Sequence, residues 1–204
     1  GSEMCIRDRV GTSNGWSNIA AGYYHTLVIR SDGTLWSWGR NNYGQLGLSD
    51  ITDRSSPVQV GTSNGWSSVA GGSEHTIAIR SDGTLWSWGY NFSGQLGLSD
   101  TTNYYSPVQV GTSNGWSSIA CGGFHTIAIR SDGTLWSWGY NFSGQLGLSD
   151  QTNRSTPVQV GTSDGWSSVA CGYRHILSIR SDNTLWSWGY NSYGILGLSD
   201  TVYR

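Results

Sequence analysis

The nine residues "SDGTLWSWG" occupy Ser31–Gly39 and return unchanged at Ser81–Gly89 and Ser131–Gly139. A fourth copy, "SDNTLWSWG", spans Ser181–Gly189, so the string recurs every 50 residues. A period of this size marks an array of supersecondary units that bury their apolar faces by stacking on one another. The fold question becomes what one unit builds.

The third copy, "GTSNGWSSIACGGFHTIAIRSDGTLWSWGYNFSGQLGLSDQTNRSTPVQV", covers Gly111–Val160. Short β-rich runs alternate with turn residues, which predicts strands rather than helices. The expected strands are "STPVQV", with its proline at the start where a missing N–H is tolerated, then "WSSIACG", "HTIAIR" and "TLWSWGYN". A glycine-bearing loop, "FSGQLGLSDQTNR", completes the unit. Gly33, Gly83 and Gly133 give way to Asn183 in the last copy, which predicts a left-handed backbone at that turn position. Asn-Gly at 14–15, 64–65 and 114–115 becomes Asp164-Gly165, and both dipeptides read as hairpin turns.

With a two- or four-residue loop at "SDG", Ile79 faces Trp86 and Ile77 faces Trp88. Alternation then puts His75, Ile77, Ile79, Trp86, Trp88 and Tyr90 on one face of the hairpin. Thr76, Ala78, Arg80, Leu85, Ser87 and Gly89 lie on the other. A bulky face and a small face invite copies to nest, and radial repetition of four-stranded sheets makes a β-propeller. The expected units are 10–60, 61–110, 111–160 and a truncated 161–204. Residues 1–9, "GSEMCIRDR", match nothing in the repeat and read as a cloning scar or translated adapter, with the natural chain beginning earlier.

Composition narrows the function classes. Only 12% of residues are charged and the net charge is −2, with eleven cations that are all Arg. There is no basic stripe to meet a phosphate backbone, so nucleic acid is not an expected partner. No apolar run reaches the roughly 18 residues of a membrane helix, so membrane insertion is not expected. Cys121 and Cys171 share a repeat position with Ala21 and Gly71, which predicts a small buried slot holding free, inert thiols.

The pattern "GGxxHT…DGTLWSWGxNxxGQLGLxDxTxxxxPVQV" resembles the RCC1-like repeat, as in the regulator of chromosome condensation. The resemblance runs from Val10 to Arg204. It implies an all-β propeller of four-stranded blades, commonly seven in number, with no bound cofactor. Four copies are present here, and only three "PVQV" strands, so an open arc of a larger propeller is expected. A closed four-bladed ring and a dimer making eight blades are the alternatives. An open arc leaves blade faces exposed and predicts self-association. The last copy has Ile195 where the others have Gln45, Gln95 and Gln145, so its loop is expected to be less well tied down. An ultraviolet-sensing plant member of the family carries Trp in a "GWRHT" pattern, whereas this chain has "GYYHT", "GSEHT", "GGFHT" and "GYRHI". Photoreception is therefore not expected.

Catalytic and metal readings fare poorly. "GTSNG" fits the nucleophile pattern G-x-S-x-G four times over, counting "GTSDG", but that motif needs a strand-to-helix turn and a nearby base. One His per repeat (His25, His75, His125, His175) cannot converge on one ion, since ligands must approach to about 2.1 Å. A partly buried His bonded to backbone is the expected arrangement. Asp50, Asp100, Asp150 and Asp200 are single carboxylates per loop and fit turns rather than calcium. Asn91, Asn141 and Asn153 head glycosylation sequons.

Differences among the copies gather at the pair before His, at the pair inside "NxxG", and in the loop before Pro. Loops on rigid scaffolds carry recognition, and Tyr, Phe and Arg are favoured anchors. The candidate binding residues are Tyr23, Tyr24, Ser73, Glu74, Phe124, Tyr173 and Arg174, with Tyr104 and Tyr105 from the loop before Pro. The expected function is a non-enzymatic scaffold that binds a protein partner through one face of the propeller. A structural or adhesive segment of a surface or phage-like protein is the alternative. Guanine-nucleotide exchange, known in the family, has no inserted loop here to support it.

Overall fold

A computed structural model describes residues 8–204; the first seven residues of the segment read as a scar, Cys5 included, lie outside the described residues. Fifteen strands and no helix occupy the described chain. The first sheet comprises β1 (Trp16–Ala21), β2 (His25–Arg30), β3 (Leu35–Gly39) and β4 (Arg54–Gln59). The second comprises β5 (Trp66–Gly71), β6 (His75–Arg80), β7 (Leu85–Gly89) and β8 (Tyr104–Gln109). The third comprises β9 (Trp116–Cys121), β10 (His125–Arg130), β11 (Leu135–Gly139) and β12 (Arg154–Gln159). The last has three strands, β13 (Trp166–Cys171), β14 (His175–Arg180) and β15 (Leu185–Gly189). Each is an antiparallel meander in chain order. The architecture is all-β, a series of propeller blades in an open arc.

Two turns differ from their sequence reading. "GTSNG" does not close a hairpin: β4 and β5 belong to different sheets, so the segment links blades. It clamps the preceding blade, because the Gly33 carbonyl accepts from the N–H groups of Gly65 and Trp66. The proline also sits deeper than expected, as the fourth residue of β4 rather than near its start. It is tolerated because β4 pairs only with β3, and through a bulge that leaves Pro57 out of the ladder.

The third difference reverses the two faces of the hairpin. Arg80 N–H donates to Thr84 O, leaving Ser81, Asp82 and Gly83 as a three-residue loop with Gly83 at φ +79°. An odd loop shifts the register by one from the two- or four-residue case, and a shift of one moves every side chain on a strand to the opposite face. The observed pairs are Ile79 with Leu85, Ala78 with Trp86, Ile77 with Ser87 and Thr76 with Trp88. One face therefore carries the tryptophans beside Thr76 and Ala78. The other carries Ile77, Ile79 and Leu85. The left-handed turn position itself is as expected, since Asn183 adopts φ +67°.

Nesting survives this correction, with different surfaces meeting. The aliphatic face of one blade (Leu27, Ile29, Leu35) packs on the tryptophan face of the next (Trp66, Val69, Ala78, Trp88). The same contact recurs between the second and third blades and between the third and fourth. Trp88 and Trp138 are wholly buried. Burying an indole of 150–250 Å² contributes about 4–6 kcal/mol as an upper estimate, so these interfaces dominate stability.

Polar stitches run alongside. His25 Nε2 lies 3.1 Å from the Thr76 hydroxyl, and Thr76 and Trp88 both donate to the Gln45 carbonyl, at 2.8 and 3.0 Å. His25 and His75 thus bond to a threonine of the following blade rather than to backbone as expected, whereas His125 meets Ile176 at that position and its Nε2 has no such partner. Burial pushes His25 down to about 4 and His75 and His125 down to about 3. A Cβ on Gly22 or Gly72 would lie 2.1 Å from the adjoining imidazole, which explains the glycine three residues before each histidine.

Candidate functional site

Hairpin pairing sorts the turns onto the two ends of the blades. His25 pairs with Gly39, so the β1–β2 turn, with Tyr23 and Tyr24, shares an end with the Asn41–Gly44 loop. Arg54 pairs with Gly39 as well, which brings the start of β4 to the same end. The "SDG" turns and the "GTSNG" linkers occupy the opposite end. All three variable positions of the repeat therefore open onto one face of the arc.

Near the axis, the first residue of each variable pair is tied across blades through the main chain. Tyr23 N–H donates to Gly72 O, Ser73 N–H to Gly123 O, and Gly123 N–H to Tyr173 O. Ser73 is only 8% exposed, so this candidate residue contributes backbone rather than a surface side chain. Gly123 matters by what it lacks, because a Cβ there would lie 2.7 Å from the Tyr173 ring.

Outward from that seam the side chains form a band of rings and guanidinium groups. Tyr43 meets Tyr90 at 4.8 Å, Tyr90 meets Phe124 at 5.8 Å, and Phe124 meets Tyr173 at 6.0 Å, all edge-on. Arg174 lies over Tyr173 and Tyr140 at 5.7 and 5.9 Å. At the other end of the band Tyr23 and Tyr24 meet at 4.5 Å, and Arg40 covers Tyr24 while pairing with Glu74 at 3.2 Å. The structure thus brings Tyr23, Tyr24, Glu74, Phe124, Tyr173 and Arg174 into one continuous surface.

Tyr104 and Tyr105 stand apart, on the outer strand β8. Tyr104 donates its hydroxyl to Asp100 at 2.8 Å, the place where Arg54 and Arg154 pair with Asp50 and Asp150. That carboxylate raises the Tyr104 hydroxyl above its usual value. Tyr105 lies against Gly44 of the first blade's loop, and its carbonyl accepts from Ser49 N–H.

Sequence reasoning passed over several members of the band. Arg40, Tyr90 and Tyr140 follow "LWSWG", and Tyr43, Phe92 and Phe142 fall inside "NxxG". Phe92 and Phe142 are 75% and 67% exposed and stack on Tyr90 and Tyr140. The variability of the "NxxG" pair was the available signal. Its meaning needed the register that places the pair beside the GxxH turn.

The groups that the sequence offers for bond chemistry are not brought together. Ser13, Ser63, Ser113 and Ser163 lie on exposed linkers, at the opposite end of the blades from the GxxH turns, and the nearest histidine of each repeat is a strand residue at that far end. Among the described residues no three His, Cys, Asp or Glu side chains gather as a metal site. Asn91 and Asn141 are fully buried and bonded to Asp100 and Asp150, so two of the three sequons are closed to modification. Cys121 and Cys171 are free, and burial pushes the Cys171 thiol up to about 12.

Four-stranded meanders nested face to back in series define a β-propeller repeat protein. The regulator of chromosome condensation (RCC1) repeat matches residues 32–79, 82–129 and 132–179, and a second form of it matches 16–45, 66–95, 116–145 and 166–195. The chain belongs to the RCC1 repeat family. It is 46% identical over 43 residues to the ultraviolet-B receptor UVR8 of Arabidopsis thaliana, covering 21% of this chain and 10% of that protein. It is 52% identical over 33 residues to a protein RCC2 homolog of Danio rerio, covering 16% and 7%. The yeast RCC1 protein Prp20, solved bound to Kap60, superposes with a TM-score of 0.85 at 24% identity, over 96% of this chain and 49% of that one. The chain thus spans about half the length of this solved neighbour and a tenth or less of the two curated relatives.

Proposed function

We propose that the chain is a non-enzymatic protein-binding scaffold and that the GxxH/NxxG face receives the partner. The observation that carries this reading is the unbroken run Tyr43–Tyr90–Phe124–Tyr173–Arg174, which crosses the blades from half-buried rings to the exposed Tyr173 and Arg174. Rigid aromatic and arginine side chains are the residue types that anchor protein interfaces, because they bury much area for little conformational entropy. The scaffold beneath holds these anchors by inter-blade hydrogen bonds, so little ordering is left to oppose binding. Prp20 is described bound to Kap60 and in terms of its binding to Gsp1p and histones, which supports a protein as the class of partner.

The test compares the chain with its Tyr23→Ala/Phe124→Ala/Arg174→Ala variant in crosslinked capture from the source cells. The scaffold reading predicts a defined protein captured by the parent chain and lost from the variant, with the far-UV spectrum and unfolding midpoint retained. Capture of glycans instead supports the adhesive alternative. Nucleotide release from a GTPase supports exchange.

A further inference from the structure

The same two repeat positions meet at every junction between blades: the residue after "LWSWG" and the second of the pair before His. They are Arg40 and Glu74 at the first junction, Tyr90 and Phe124 at the second, and Tyr140 and Arg174 at the third. A guanidinium lies on a ring at the first and third, Arg40 over Tyr24 at 5.4 Å and Arg174 over Tyr140 at 5.9 Å. The middle junction has rings alone. Tyr90 stands among Tyr43, Phe92 and Phe124, at 4.8, 6.4 and 5.8 Å, and among the described residues no arginine covers any of the four. Phe92 is 75% exposed although a blade packs on each side of its own. The carboxylates follow the same pattern. Asp50 and Asp150 pair with Arg54 and Arg154, whereas Asp100 takes the Tyr104 hydroxyl in that place, so no cation stands against it among the described residues. Asp100 also accepts from the side chain of Asn91, the residue between Tyr90 and Phe92. Arg80, the second blade's one Lys or Arg, lies at the opposite end and donates to the Asn64 carbonyl.

We infer that the middle junction seats an arginine side chain of a basic peptide segment in the partner, its guanidinium on the rings of Tyr90, Phe92 and Phe124 in the field of Asp100. The inference rests on the scaffold reading and names what that face recognises. The face of an aromatic ring is negative and attracts a cation within about 6 Å of its centre. A carboxylate that no internal cation neutralises adds charge complementarity and selects against acidic segments. The chain makes the same contact with its own arginines on either side, so the middle junction lacks only the guanidinium.

The test is fluorescence anisotropy on the full chain with a labelled (Arg-Gly)4 peptide and its (Gln-Gly)4 and (Glu-Gly)4 counterparts. The arginine peptide alone is expected to bind. Phe92→Ser installs the residue type that the fourth blade has at Ser192, on an exposed site, and is expected to weaken binding several-fold. Phe124→Arg copies the Tyr140–Arg174 pair and supplies the cation from within, so binding should be lost while circular dichroism shows the fold retained. Asp100→Asn is expected to weaken binding a few-fold. Absence of (Arg-Gly)4 binding overturns the inference, as does equal binding of either counterpart. Binding that survives Phe92→Ser, Phe124→Arg or Asp100→Asn unchanged does so too. The two readings fail separately. A protein captured by the parent chain and lost from the triple variant, with no (Arg-Gly)4 binding, overturns this inference alone. Binding of (Arg-Gly)4 with no protein captured overturns the scaffold reading alone.

Discussion

The Nε2 atom of His75 lies 3.2 Å from the Thr126 hydroxyl, which in turn donates to the Gln95 carbonyl at 2.9 Å. The chain crosses from one blade to the next through groups with no access to water. Thr126→Val keeps the shape and removes both bonds, leaving a buried imidazole and a buried carbonyl unpaired. Such groups cost about 1–3 kcal/mol each. The expected result is a lower urea midpoint with an unchanged slope, while Thr126→Ser retains most of the stability.

The buried imidazoles also fix an acid response. His25, His75 and His125 titrate at about 4, 3 and 3 in the folded chain, lowered from 6.5 by burial. A lowered histidine means that the unfolded chain binds the proton more readily. Stability is then fully present above pH 6.5 and falls as the pH drops from 6.5 towards the folded values. Each histidine contributes a slope of about 1.4 kcal/mol per pH unit in that window. Denaturant melts between pH 7 and pH 4 should show the decline, and His75→Gln should make its slope shallower.

Position 183 separates two demands that glycine meets elsewhere. Asn183 shows that the left-handed turn alone admits asparagine. At Gly83 a Cβ would also stand 2.7 Å from the backbone nitrogen of Gly115. Gly83→Asn is therefore expected to destabilise by about 1–3 kcal/mol through overpacking. Thermal unfolding of this variant should show a loss that Asn183→Gly does not.

Gly72 is held to a similar standard by the imidazole above it. A Cβ there meets His75 Cε1 at 2.1 Å and the Gly122 carbonyl at 2.8 Å, and neither can retreat. Gly72→Ala should lower the unfolding midpoint more than Ala70→Gly in the strand just before it, by calorimetry on the two variants.

Much of this was legible in the sequence because periodicity reports on contacts that repeat. The 50-residue period, the four strands per unit and the left-handed turn follow from "SDGTLWSWG" and its Asn183 copy. The face assignment did not, because Gly83 serves equally in loops of two, three or four residues, and an odd loop exchanges Trp86 for Leu85. The linker was misread for a related reason: Asn64-Gly65 has hairpin chemistry whether its flanking strands pair or separate. At the candidate site, Phe124 and Arg174 stood out as variable aromatic and cationic residues. Tyr90 and Phe92 entered only once the register placed them beside the GxxH turn, and Ser73 left once its burial was known.

A double-mutant cycle on Ile77 and Trp138 tests the nesting most directly, since both lie in the cluster between the second and third blades. Replacing each by Ala, singly and together, is expected to give a coupling of about 0.5–3 kcal/mol. The same cycle on Ile77 and Trp88, which sit on opposite faces of one sheet, should give a value near zero. Strong coupling within the sheet and none between the sheets would contradict the account.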